Sequence, residues 1–249
     1  MMTDKVQEHD LLARLMEGRG RQYGLLSRLY EREVDTALLR DIRAMRLLKS
    51  TGNDLLDAAN EKLARFLNGR AEGMEEVLRV DYAKVFFGNG MDGSAAAYPF
   101  ESVHTSQKHA MMQGSRDEVL ALYRSEGFDK SDDWKDGEDH VALELAFERI
   151  LCERCAAALD EGDLGKAAGY AAAQFNFLHD HLLNWVPIFT NGMRRFAQTD
   201  FYRALADMTD GFLAEDDAFL GALLPDLGMV VSVDPRTGLA VAGRADDDE

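Results

Sequence analysis

Only four prolines interrupt 249 residues, and between them apolar residues return at three- and four-residue steps rather than in alternation. Proline lacks an amide donor and clashes with the preceding turn, so a chain this poor in it sets few limits on helix length. Leu and Ala abound while long β-branched runs, which strands favour, are scarce. The pattern predicts an all-α protein, a single globular helical domain of about ten helices over residues 1–225. A C-terminal extension, 226–249, follows. At this length roughly 70% of the unfolded surface can be buried, so a real core is expected.

Leu11, Leu12, Leu15, Tyr23, Leu26, Leu29 and Tyr30 mark one helix or a kinked pair from Glu8 to Glu33, weakened in the middle by Gly18 and Gly20. Asp35 caps a short helix through Leu38, Ile42 and Met45. Thr51 to Asp54 offers capping oxygens for the next, which carries Leu55, Leu56, Ala59, Leu63 and Phe66 to a stop at Gly69. A helix from Met74 to Phe87 ends at Gly88 and Gly90. Beyond Ser102 a helix through Met111 and Met112 breaks near Gly114, and the capping box Ser115 to Glu118 starts another. The polar stretch Ser125 to Glu138 is a loop, after which Asp139 and His140 open a helix reaching Leu159. Asp163 caps the following helix. Two short helices follow Pro187, the second bearing Phe201, Tyr202, Leu205 and Met208, and a last one holds Phe212, Phe219 and Leu223. Beyond Pro225 the texture changes: Met229 to Val233, a turn at Asp234 to Gly238, and Leu239 to Ala242 read as a small β-hairpin. The closing Asp246 to Glu249 offers nothing to bury and is expected to be disordered and dispensable.

With 28 Lys and Arg against 45 Asp and Glu the formal charge is −17. A nucleic-acid binder needs a basic face, so that class is excluded, and the balance suits a basic partner or plain solubility. Acids stand near the N-terminus where a signal peptide would carry an apolar stretch, and no run reaches the ~20 apolar residues of a membrane span. A cytoplasmic protein without membrane insertion is expected. Cys152 and Cys155 have C-x-x-C spacing, but no second cysteine pair accompanies them and no βαβ pattern surrounds them; they read as two reduced, buried helix thiols. Arg194-Arg195 is internal, with no apolar stretch after it, and reads as an exposed helix pair.

Asp139 and His140 are the pair best suited to acid/base chemistry, with Glu144 one turn on to orient the imidazole. The competing reading is structural: an Asp at a helix start caps free amides, and a His beside it is a hydrogen-bonding neighbour. No nucleophile motif, phosphate loop or complete metal set accompanies them, and no cofactor is implied; His179 and His181, two apart, do not share a helix face. The enzyme alternative rests on His140 with Glu144 or on the cysteine pair.

Two segments carry more specific wording. The first runs from Asp81 through Tyr82, Phe86 and Phe87 to the Gly loop and then Tyr98-Pro99-Phe100-Glu101-Ser102; the second is Gly137-Glu138-Asp139-His140 and the helix it opens. Here the sequence resembles the TorD/DmsD family of cytoplasmic redox-enzyme maturation chaperones, which escort molybdoenzyme subunits before twin-arginine export. A third echo is His181 to Pro187, followed by Phe201-Tyr202, and the ordered series spans residues 20 to 222. Gly137 stands where the family often has Pro, exchanging a rigid approach to the helix for a flexible one. His104 stands where a Tyr commonly follows the Ser turn.

The resemblance implies a chaperone that binds the leader peptide of a molybdoenzyme catalytic-subunit precursor and holds it in the cytoplasm for cofactor insertion. It makes Tyr82, Phe87, Pro99, Ser102, Asp139 and His140 groove residues. A twin-arginine leader offers guanidinium groups and an apolar segment; Glu101, Asp136, Glu138 and Asp139 suit the former and aromatic side chains the latter. A nucleotide-regulated variant, with guanine nucleotide as a further partner, comes with the resemblance alone. Either a monomer or a homodimer fits. The Gly88 to Ser102 loop and the start of the Asp139 helix are expected side by side on the surface, with Asp139 and His140 at a helix mouth outside the core.

Overall fold

The structure, a computed structural model, describes residues 2–45, 50–69, 72–88, 96–106 and 114–244. The readings placed on Gly90, on Met111 and Met112, and on the acidic tail lie outside the described residues. Among these residues the protein is all-α with one small antiparallel hairpin, as the scarcity of proline and of β-branched runs implies. No helix of the described residues is long and apolar enough to cross a membrane.

Helix α1 (Met2–Glu31) is one unbroken helix, not a kinked pair. It lies along α7 (Val141–Asp160), and Gly20 and Gly24 serve that approach: a Cβ at Gly20 would meet the Cys152 Cβ at 3.3 Å and one at Gly24 the Arg149 side chain at 3.1 Å. The packing removes the need for a kink. Between these two run α2 (Thr36–Ala44), capped by Asp35 through the Leu38 amide at 2.8 Å, and α3 (Asp54–Leu67), capped by Asn53. They lead into α4 (Met74–Phe86). A five-residue helix, α5 (Glu101–Thr105), follows, then α6 (Gly114–Ser125). Gly114 already belongs to α6, so Ser115 sits in the first turn and not at the cap expected from the box pattern.

After α7 comes α8 (Leu164–Phe177), capped by Asp163 through the Lys166 amide, and a π-helical turn at Leu178–Leu182. Next are α9 (Val186–Phe196) and α10 (Asp200–Asp226). The last two helices expected from the sequence are the single α10. Asp210-Gly211 does not break it, because Gly211 is where α3 crosses: a Cβ there would fall 2.7 Å from Leu56 Cγ. Arg194 is no simple surface residue; it bridges α9 to α10 through Asp207 at 2.7 Å and Asp210 at 2.6 Å, while Arg195 is exposed.

Strands β1 (Met229–Val233) and β2 (Ala240–Arg244) form the hairpin, with Val231 opposite Ala242. Asn176 of α8 donates to the Ala242 carbonyl at 3.1 Å and accepts from its amide at 2.7 Å, so β2 is tied to the helical body. Trp185, Tyr23, Tyr30, Tyr202, Phe86 and Phe189 are among the largest fully buried side chains. Burial of each such ring contributes about 1.5–3 kcal/mol. Cys152 and Cys155 are free and buried, and burial raises both thiols, Cys155 to about 11.

Candidate functional site

The aromatic end of α4 builds the first wall. Tyr82 and Phe86 point inward, and the Tyr82 hydroxyl donates to the Tyr30 carbonyl at 2.9 Å; rings of Tyr82, Phe86 and Tyr202 lie 4.7–6.1 Å apart. Asp81, beside them and buried, accepts from the amides of Gln198 and Thr199 at 2.8 Å and so holds the start of α10. The helix stops at Gly88, whose φ of 69° is costly for any residue with a Cβ. Phe87, at the stop, is turned outward and 64% exposed.

The second wall is a seam between two short backbone stretches. The Glu101 amide donates to the Asp139 carbonyl and the Val141 amide to the Pro99 carbonyl, both at 2.9 Å, with Phe100 and His140 bridged between them. The Asp139 carboxylate accepts from the Ser102 amide at 3.0 Å. Side by side these segments are, as expected, but they are enclosed: Pro99, Phe100, Glu101, Ser102, Asp139 and His140 are all buried. The expectation of an open helix mouth is corrected here, because the Phe100 and Trp134 rings pack edge-on against the His140 ring, each at 5.0 Å.

The cap of α7 is His140, not Asp139. Its Nδ1 accepts from the Ala142 amide at 3.1 Å, and burial pulls the imidazole down to about 3, so it is neutral throughout the physiological range. Gly137 is packed closely as well as flexible: a Cβ there would lie 2.8 Å from Asp139 Oδ1, so a larger residue would have to displace that carboxylate.

Of the four carboxylates expected to receive arginines, three are engaged within the chain. Glu101 meets His181 Nδ1 at 3.1 Å. Glu138 pairs with Arg116 and with Lys130 at 2.7 Å; burial opposes its charge, yet these hydrogen bonds and ion pairs bring it to about 2. Asp139 serves the seam. Asp136 alone of the four is exposed.

Glu144 does not orient His140. It is fully buried and accepts from Trp185 Nε1 at 3.2 Å; burial first, then the neighbouring Glu101 and Asp139 charges, push its carboxyl well above the usual range. An acid/base pair of His140 with Glu144 is therefore not assembled. Among the described residues no group of three or more His, Cys, Asp or Glu is arranged to hold a metal. The third sequence echo lands behind the seam: His181 against Glu101, and Trp185 stacked on His104 at 5.3 Å.

Two adjoining grooves open in front. One, of about 370 Å³, is lined by Tyr82, Phe87, Val34, Arg79, Glu75 and the Glu31-to-Asp35 turn. The other, of about 650 Å³, is lined by Trp134, Phe128, Leu143 and Asp136, with Asp129, Asp133, Lys130 and Lys135 at its edge. They share Glu31 and Arg32, and carboxylates outnumber bases along them. Of the residues named from sequence, Tyr82, Phe87 and Asp136 line this surface. The end of α1 and Trp134 were missed, since nothing in a local helical pattern marks a residue that becomes a wall only when α1, α4 and the loop before α7 converge.

The family described as nitrate reductase delta subunit matches residues 53–191, more than half of the chain. A chaperone protein TorD of Photobacterium profundum is 27% identical over 143 residues, covering 57% of this chain and 63% of that protein. Another TorD, of Vibrio cholerae, is 25% identical over 219 residues, 85% of this chain and 96% of its own. The perchlorate reductase assembly chaperone protein of Dechloromonas aromatica is 32% identical over 134 residues, 54% of this chain and 56% of its own. The chain thus aligns with less than two thirds of the Photobacterium and Dechloromonas proteins and with nearly all of the Vibrio one. Ordered motifs, helical fold and a match over more than half the length agree: the chain belongs to the nitrate reductase delta subunit family, with the TorD/DmsD maturation chaperones, and is a chaperone and not an enzyme.

Proposed function

We propose that this chaperone serves the maturation of a molybdoenzyme, binding the twin-arginine leader of its catalytic-subunit precursor in the cytoplasm and holding it until the cofactor is inserted. The observation that supports this reading is the pair of grooves joined at Glu31 and Arg32, which sets exposed Phe87 at one end and Asp136 with Trp134 at the other. A leader has the matching chemistry, two guanidinium groups beside an apolar helix-forming stretch. In this reading Phe87, Asp136 and the outer edge of Tyr82 touch the peptide. Pro99, Glu101, Ser102, Glu138, Asp139 and His140 hold the seam that shapes the groove and act through it.

Titration of a labelled leader peptide by calorimetry tests the reading. Asp136→Asn and Phe87→Ala should each weaken binding by about five- to thirtyfold, the range of about 1–2 kcal/mol per contact. Added salt should weaken it only in part, because the apolar contribution is not screened. Equal affinity for wild type and both variants, or for a leader with both arginines replaced by Ala, would discard the groove assignment.

A further inference from the structure

The hairpin shares no residue with the lining of those grooves, and its two edges are treated differently by the fold. In an antiparallel pair, residues alternate between those whose backbone groups face the partner strand and those whose groups face away. Both backbone groups of Ala242 go to Asn176, so Ala242 faces away from β1. Its partner in the register is Val231, which must then face outward on the other side. The Asp234 amide bonds inward to the Leu239 carbonyl at 2.9 Å, and the alternation agrees: Val230, Ser232 and Asp234 face β2, while Met229, Val231 and Val233 present their groups to the free edge.

That edge lacks the usual protection. Natural edge strands are guarded by a charge, a proline or a bulge, and Met229–Val233 contains none of these. Val230, Val231 and Val233 are 48%, 39% and 64% exposed, so beyond Met229, which is buried against the helical core, the strand is open to solvent. Asn176 closes the edge of β2 and nothing among the described residues does the same for β1.

We propose that the open edge of β1 pairs with β1 of a second copy, antiparallel about a two-fold axis at Val231, giving a four-stranded sheet ordered β2-β1-β1-β2. The strand's own sequence selects that occupant. About this axis Val231 meets Val231, Val233 meets Met229 and Val230 meets Ser232, so every cross-strand pair is neutral and at least one member is apolar. A basic peptide, the partner favoured by a charge of −17, would find no carboxylate within this strand. The same charge on both copies opposes association at a distance, so pairing strengthens as salt screens it.

Sedimentation equilibrium of the full chain over a range of concentrations, at low salt and at high salt, is the test. A monomer–dimer equilibrium that tightens with salt is expected. Val231→Pro removes an amide the hairpin does not use and leaves Val230 extended, so the fold should survive. It should weaken dimerisation by about tenfold or more, the loss of two backbone hydrogen bonds. Hydrogen exchange on the wild type gives a second readout: the Val231 and Val233 amides should slow as concentration rises, while those of Val230 and Ser232 stay protected throughout. A monomer under all conditions overturns the proposal. So does a dimer unchanged by Val231→Pro, or protection of the Val231 amide that follows added leader peptide and not protein concentration.

Discussion

Phe100 and His140 face each other across an isolated antiparallel bridge, their rings edge to face at 5.0 Å, and this contact turns two distant sequence motifs into one structural unit. Its pH dependence follows from burial. The folded state holds His140 near 3 and the unfolded chain near 6.5, so between those values the unfolded state binds more protons. The stability due to neutral His140 is complete above 6.5 and lost as pH falls toward 3. His140→Asn keeps a capping acceptor without the titration. Its urea midpoint should fall less steeply than that of wild type between about pH 7 and about pH 4.5; identical slopes would show that His140 is not buried in solution.

Asp139→Ala should destabilise the fold by about 1–3 kcal/mol, because the buried Ser102 amide loses its acceptor. Chemical denaturation measures the cost. Leader binding at low temperature, where the variant stays folded, should change less than with Asp136→Asn.

The buried carboxyls Glu144 and Glu148 carry the opposite sign. Burial is the first cause of both upward shifts, so their contribution is full below 4.5 and is lost as pH rises toward the folded-state values. Glutamine resembles the protonated acid in shape and cannot ionise. Glu144→Gln and Glu148→Gln should therefore match wild type in mild acid and exceed it in melting temperature at about pH 8. A lower melting temperature at both pH values would mean that the ionised forms are needed.

Adjacent phenylalanines should separate stability from binding. Phe86→Ala empties a fully enclosed site and should cost about 3–5 kcal/mol. Phe87→Ala should change stability by under about 0.5 kcal/mol while weakening leader binding. Thermal melts of both variants alongside the peptide titration check this.

Helix starts and the hairpin were legible because their causes are local. Asp35, Asn53 and Asp163 cap helices through amides two or three residues on, and an apolar stripe needs only its own spacing. Partners across the chain are not local. Nothing in sequence tells that Asp81 accepts from Thr199, that Glu138 is taken by Arg116 and Lys130, or that His140 and not Asp139 caps α7. The same limit explains Gly20, which reads as a weak point and proves to be where α1 meets α7, and Gly211, where α3 crosses α10. The sequence by itself determined the helical class, the family and the two motifs that meet; only the tertiary structure decided which of their side chains face water. Exposure depends on what packs over a residue, and here Trp134, Phe100 and the end of α1 arrive from elsewhere in the chain to enclose some candidates and leave Phe87 and Asp136 open.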